Sequence, residues 1–123
     1  MLYAILCYDN EDVVWSWSKE EDEAAMARLQ VVQDKLIKQG RLGPVARLMP
    51  TTAATTLRKG REAMVIDGPF AETKEQLLGF YIVECESLDA ALDVAKALGA
   101  ASSTQGAYEV RPLAVFRNNE PAA

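Results

Sequence analysis

Leu2-Tyr3-Ala4-Ile5-Leu6-Cys7-Tyr8 reads as a β-strand that is apolar on both faces. Leu2, Ala4 and Leu6 fall on one side, Tyr3, Ile5 and Cys7 on the other, because side chains alternate along a strand. Such a strand must be covered on both sides, and a single layer of helices covers only one. The rest of the chain has to supply both covers.

Working outward, Asp9 to Ser18 reads as a polar loop holding Trp15 and Trp17. Ser18-Lys19-Glu20-Glu21 matches a capping box, with Ser at the N-cap and Glu three residues on. A helix is expected from there to about Gln39, with Gly40 as its stop. Ala25, Leu29, Val32 and Leu36 recur at helical spacing and define its buried face. Glu20 to Glu23 put acid at its positive end, and Lys35 and Lys38 put base at the other. Leu42 to Leu48 is a strand interrupted by Gly43-Pro44, and Thr51 to Leu57 is threonine-rich and β-favouring. Lys59-Gly60 turns the chain, and Glu62 to Ile66 returns antiparallel. After a charged loop, Gly79 to Cys85 is a further strand. Ser87 caps a second helix, Leu88 to about Leu98, with Leu88, Leu92, Ala95 and Leu98 on its buried stripe and Gly99 ending it. Tyr108 to Phe116 alternates as the last strand, and a disordered tail is expected over 118–123.

Strand, helix, strand plus hairpin, strand, helix, strand is an α+β order. It is the split βαβ pattern of a ferredoxin-like βαββαβ fold with an inserted β-hairpin. Helices cover one face of its sheet. The other face keeps Leu2 or Tyr3 with Phe80 and Ile82, and an apolar sheet face normally marks an interface. Two sheets packed face to face, a dimeric α/β barrel with two-fold symmetry, supply the missing cover.

The 123 residues fit one domain, taken as 1–117. A net charge of −5 opposes non-specific binding to nucleic acid or anionic membranes, so neither is an expected partner. No apolar run approaches a membrane span. The N-terminus lacks a basic region and meets Asp9 early, so no secretory signal is expected and the cytoplasm is the expected compartment. Cys7 and Cys85 sit inside apolar runs and read as small buried hydrophobes. They lack metal-ligand spacing, and the chain contains no histidine to complete a site, so no metal and no cofactor are expected. The missing histidine also rules out Ser-His-Asp and Cys-His catalysis.

The segment Asp67-Gly68-Pro69-Phe70-Ala71-Glu72-Thr73-Lys74-Glu75, followed by Gly79-Phe80-Tyr81, resembles the signature of the DGPF-type, YCII-related proteins. The strand ending at Tyr8 and the run Tyr108-Glu109-Val110-Arg111-Pro112 resemble that family's other recurring pieces. The resemblance implies a bacterial, cytoplasmic, dimeric ferredoxin-like barrel with a cleft by the sheet. It also implies two functional directions. Some relatives in the wider superfamily are enzymes acting on small metabolites. Others are encoded near, or fused to, extracytoplasmic-function sigma factors. The histidine–aspartate pair proposed as catalytic in smaller relatives has no counterpart here.

Asp67 is the leading candidate for catalysis, as a general base or an anchor for a ligand hydroxyl. An Asx-turn, with Gly68 at positive φ and Pro69 stiffening the exit, accounts for the same residues. Glu72 and Lys74 are candidate ligand contacts at a polar cleft mouth, against the reading of a solvated turn in which Thr73 caps a helical turn ending near Leu77. Arg111 is a candidate for a ligand carboxylate, against a structural ion pair with Glu109, with Asp67 or across a dimer. Tyr8, with Tyr3 and the two tryptophans, is a candidate pocket wall, against ordinary packing. The expected activity is binding or transforming a small polar metabolite in a cleft beside the Asp67 loop. The alternative is a non-enzymatic partner of a sigma factor.

Overall fold

The central strand β1 (Leu2–Asp9) is hydrogen-bonded on both sides, to β5 (Gln76–Glu84) and to β6 (Ala107–Pro112), antiparallel in each case. β2 (Leu42–Arg47) adds to the outer edge of β5, so the sheet order is β2-β5-β1-β6. With the β3–β4 hairpin set aside, this is second, third, first, fourth, the order of a ferredoxin-like α+β sheet. A computed structural model describes residues 1–119; the rest of the expected tail, 120–123, lies outside the described residues.

Helix α2 (Lys19–Lys38) forms as its caps dictate. Ser18 accepts from the Glu21 amide at 3.1 Å, while the Glu21 carboxylate accepts from the Ser18 amide at 3.1 Å. Ala25, Leu29 and Leu36 are buried and Val32 is half-buried against the sheet. Helix α3 (Leu88–Ser102) starts at Ser87, whose hydroxyl accepts from the Ala90 amide. Both helices lie on the face of Tyr3, Ile5, Tyr81 and Val83, which with them form the core. Among the described residues no helix is long and apolar enough to cross a membrane.

Four local expectations need correction. Asp9 to Ser18 contains a one-turn helix, α1 (Glu11–Val14), because the Asn10 side chain caps it by accepting from the Asp12 amide at 3.0 Å. Helix α3 buries Ala95 and Leu98 as expected, but its inward face is rotated away from Leu88 and Leu92. Ala91, Val94, Ala95 and Leu98 are buried, while Leu88 and Leu92 are exposed, since small alanines let the helix approach the sheet. It also runs through Gly99, because a glycine away from a helix end weakens the helix without breaking it. β6 ends at Pro112, well before Phe116.

The inserted hairpin pairs β3 (Thr55–Arg58) with β4 (Met64–Asp67), after a 3₁₀ turn at Thr51–Ala53. It forms a two-stranded sheet of its own. Leu57, Met64, Val65 and Ile66 are all exposed, Val65 by 68%. Isolated hairpins are marginal in water, so this arm has too little apolar cover within the chain itself.

Two glycines give opposite predictions. A Cβ on Gly79 would meet the Ala46 carbonyl oxygen of β2 at 2.2 Å. Gly79→Ala is expected to lower stability by about 1–3 kcal/mol, the usual range for overpacking. A Cβ on Gly99 would meet only the Tyr108 ring, at 3.8 Å. Gly99→Ala is expected to raise stability by up to about 1 kcal/mol through helix propensity. Urea unfolding of the two variants checks both signs.

Candidate functional site

Register places Arg47, Gly79, Cys7 and Tyr108 in one row across β2, β5, β1 and β6. The next row is Val45, Tyr81, Ile5 and Val110. In the first row Gly79 contributes no side chain, and a cavity of about 160 Å³ lies between this part of the sheet and α2. Leu29, Gln33 and Met26 of α2 line it from the helix side, and Ser102 and Thr104 from the end of α3. Its exposed lining residues, Met26, Val45 and Arg47, belong to α2 and β2, so it opens between those elements. A larger groove of about 720 Å³ lies by Lys35, Arg41, Glu84, Glu86 and Asp93. Those charges are of mixed sign and mostly solvated, so they define no convergent polar set.

The wall nearest α1 is held by a set of hydrogen bonds. Val14 is buried in that wall, and Trp17 stands beside it. The Glu11 carboxylate accepts from the Thr51 amide at 2.8 Å and from the Thr51 hydroxyl. The Glu11 amide donates to the Gln76 side chain at 3.0 Å, and that side chain donates to the Thr73 carbonyl at 2.6 Å. Glu11 therefore ties the cavity wall to the root of the hairpin and to the end of the charged loop.

At the opening, Arg47 Nη1 lies 2.9 Å from Asp22 Oδ1. That oxygen is buried and receives no well-directed hydrogen bond, so the contact is an ion pair. The guanidinium stacks over Trp15, 5.1 Å from the ring centre. Deeper in, burial pushes the Cys7 thiol up to about 12. Burial also raises Tyr81 to about 12, with Cys7 adding and a hydrogen bond from Gln33 opposing. Tyr108 is pushed well above the ordinary phenol range, chiefly by burial and then by Cys7 and Tyr81, with Ser102 opposing. At neutral pH all three groups keep their protons. They are donors, and the thiol is not a nucleophile.

Of the residues singled out in the sequence, Tyr8 lines this cavity. Asp67, Glu72 and Lys74 do not line it; all three are exposed. Among the described residues the Asp67 carboxylate makes no hydrogen bond to its own backbone. The turn is closed instead at Gly68, φ +108°, whose amide donates to the Ala54 carbonyl at 2.8 Å. The Gly68 carbonyl accepts from the Thr56 hydroxyl at 2.8 Å. Thr73 caps no helical turn; its hydroxyl donates to the Glu75 carbonyl, and strand begins at Gln76. Arg111 pairs with Glu109, on the sheet face away from the helices. Cys7 and Cys85 are free thiols at opposite ends of the β1–β5 pair. Trp17, the other expected pocket wall on this lining, stands with Tyr8, whereas Cys7, Gln33, Arg47, Gly79 and Tyr108 carry no site expectation from the sequence. The available signal was Gly79, since a glycine inside a strand often marks close approach by a ligand or backbone. Among the described residues no three His, Cys, Asp or Glu side chains are grouped to hold a metal ion.

Fold and site together define a split-βαβ protein with a small helix-backed cavity. The chain belongs to the YCII-related family, whose domain model matches residues 1–117. It is 60% identical over 121 residues, 98% of each chain, to a protein of Rhizobium meliloti (strain 1021) described as "Uncharacterized protein R00369".

Two predictions come from this geometry. The thiol and phenol pKa values are raised in the folded state, so above the ordinary values of 9.0 and 10.0 the unfolded chain loses protons first. Stability is expected to be insensitive to these groups below about pH 9 and to fall from about pH 9 to 12, with Cys7→Ala flattening the first part of the decline. Urea midpoints across that range measure it. Glu11→Ala is expected to lower stability by about 1–2 kcal/mol through loss of charged hydrogen bonds. Faster amide exchange at Thr51 would accompany the loss.

Proposed function

We propose that the protein is a homodimer that binds a small metabolite in the cavity between its sheet and α2. The observation that carries this reading is the cavity wall. Cys7, Gln33, Tyr81 and Tyr108 bring protonated polar groups to a small space otherwise walled by apolar and aromatic side chains. A few placed polar groups in an apolar pocket are the usual composition of a ligand site. Binding is the activity that this geometry supports. Among the described residues Asp9 is the one carboxylate on the lining, and burial raises the Cys7 thiol above its ordinary range.

The homodimer rests on apolar surface. The face away from the helices carries Leu2, Leu6 and Phe80, and the hairpin exposes Leu57, Met64, Val65 and Ile66. Phe70, 74% exposed, extends that surface into the loop, where Arg58 lies over its ring at 5.4 Å. Packing two such faces supplies the cover that β1 requires. Arg111 and Glu109 then belong to the dimer face. Asp67, Glu72 and Lys74 reach a ligand only across the dimer, at the rim of the partner's cleft. The sigma-factor reading draws on the same exposed hairpin, and solution mass separates the two.

A thermal-shift screen of metabolites is expected to give stabilising compounds whose effect falls at least about fivefold in apparent affinity in Tyr108→Phe, the loss of one hydrogen bond. Unchanged responses in that variant would sink the cavity reading. Light scattering at micromolar concentration is expected to show a dimer, and Ile66→Lys to shift it toward monomer. A stable wild-type monomer would end the dimer reading and favour a different partner for the hairpin.

A further inference from the structure

We propose that the cavity selects an uncharged, single-ring compound carrying one hydrogen-bond acceptor, and discriminates against anions of the same shape. This rests on the cavity being the ligand site, and it adds the chemical class.

Size comes first. A volume of about 160 Å³ is well below the roughly 300–1,000 Å³ of pockets for drug-sized ligands. It is close to the engineered cavity of about 150 Å³ that takes up benzene. One ring with a short substituent fits, and a nucleotide or a chain of several residues does not. The walls suit a ring as well. Tyr8, Trp17, Tyr81 and Tyr108 line the space, and aromatic faces favour offset or edge-on contact with a flat partner.

Charge decides between classes. Among the described residues Arg47 is the one cation on the lining, and a lone cation there would suggest an anion. In the structure it is already neutralised, paired with Asp22 at 2.9 Å and stacked on Trp15. An anion would have to break that pair and leave the buried Asp22 oxygen uncompensated, which is unfavourable. Asp9 also lines the cavity, and its carboxylate further repels an anion. A cation would find Asp9, whose Oδ1 accepts from the Asn10 amide at 2.7 Å, and it is desolvation that counts against it. Burial raises the Cys7, Tyr81 and Tyr108 groups above their ordinary ranges, because the interior stabilises charge poorly. The same desolvation acts against any charged ligand. What the interior offers is donors: the Tyr81 and Tyr108 hydroxyls and the Gln33 amide. Ser102 is already committed, donating to the Gly99 carbonyl at 2.8 Å. A carbonyl or hydroxyl oxygen on the ring matches those donors.

The test uses three probes of nearly one shape and different charge: benzamide, benzoate and benzylammonium, with toluene as the ring lacking an acceptor. Binding at pH 7 is followed by NMR of the two indole N–H signals, since Trp17 lines the cavity and Trp15 does not. Benzamide is expected to perturb Trp17 and to bind at least about tenfold tighter than benzoate or benzylammonium, the penalty for an uncompensated charge. Tyr81→Phe/Tyr108→Phe is expected to weaken benzamide about five- to tenfold and to leave toluene unchanged, with circular dichroism confirming the fold. Each tyrosine changed singly provides the same comparison if the double variant unfolds. Benzoate or benzylammonium binding as tightly as benzamide, with Trp17 perturbed, overturns the charge selection and leaves the cavity as a site. Probes that shift only Trp15, or bind nowhere, overturn the proposal. The underlying cavity reading falls with it only if the metabolite screen is also silent.

Discussion

β1 is the constraint on which the molecule depends. It is apolar on both faces and hydrogen-bonded along both edges, so it has no side that water can serve. Tyr3 and Ile5 on one face call for the helices, and α2 and α3 supply that cover through Leu29, Leu36, Val94 and Leu98. Leu2 and Leu6 on the other face receive no helix. The hairpin adds further exposed apolar surface rather than removing it. The same strand accounts for the core, and its far face motivates the proposal that a second copy completes the structure.

The cavity arises where that cover thins. Toward the end of β1 the row across the sheet holds Cys7 and Tyr108 with Gly79 between Cys7 and Arg47. A glycine in the row and a helix supplying Gln33 leave space with polar groups around it. Close-packed interiors hold few voids larger than a water molecule. The hydrogen bonds of Glu11 then fix the nearby wall against the hairpin root, so the proposed dimer arm and the proposed binding site share one anchoring side chain.

The two long helices were legible because their signals are local. Ser18 with Glu21 and Ser87 with Ala90 cap in the manner that the spacing requires. The inward face of α3 was less legible. Leu88 and Leu92 compete with Ala91 and Ala95 for the sheet, and hydrophobicity favours leucine while close approach favours alanine. The one-turn helix α1 was missed because four residues carry no periodicity; only the cap at Asn10 announces it. The cavity was missed for a different reason. Its residues come from β1, β2, β5, β6 and all three helices, and no spacing along the chain relates Cys7 to Tyr108. Charge is concentrated in sequence at Asp67, Glu72 and Lys74, and those side chains are exposed.

The sequence by itself determined the order of elements, the split βαβ plan, both long-helix starts and the YCII-related membership, because caps, turn residues and alternation act over a few residues. Tertiary structure alone decided which side of each strand meets the helices at the cavity, that Arg47 is neutralised by Asp22, and that Arg111 pairs with Glu109. It also decided that Cys7, Tyr81 and Tyr108 share one desolvated space. These are properties of register and burial. They depend on which residues pairing brings opposite one another, and on how much water is left between them.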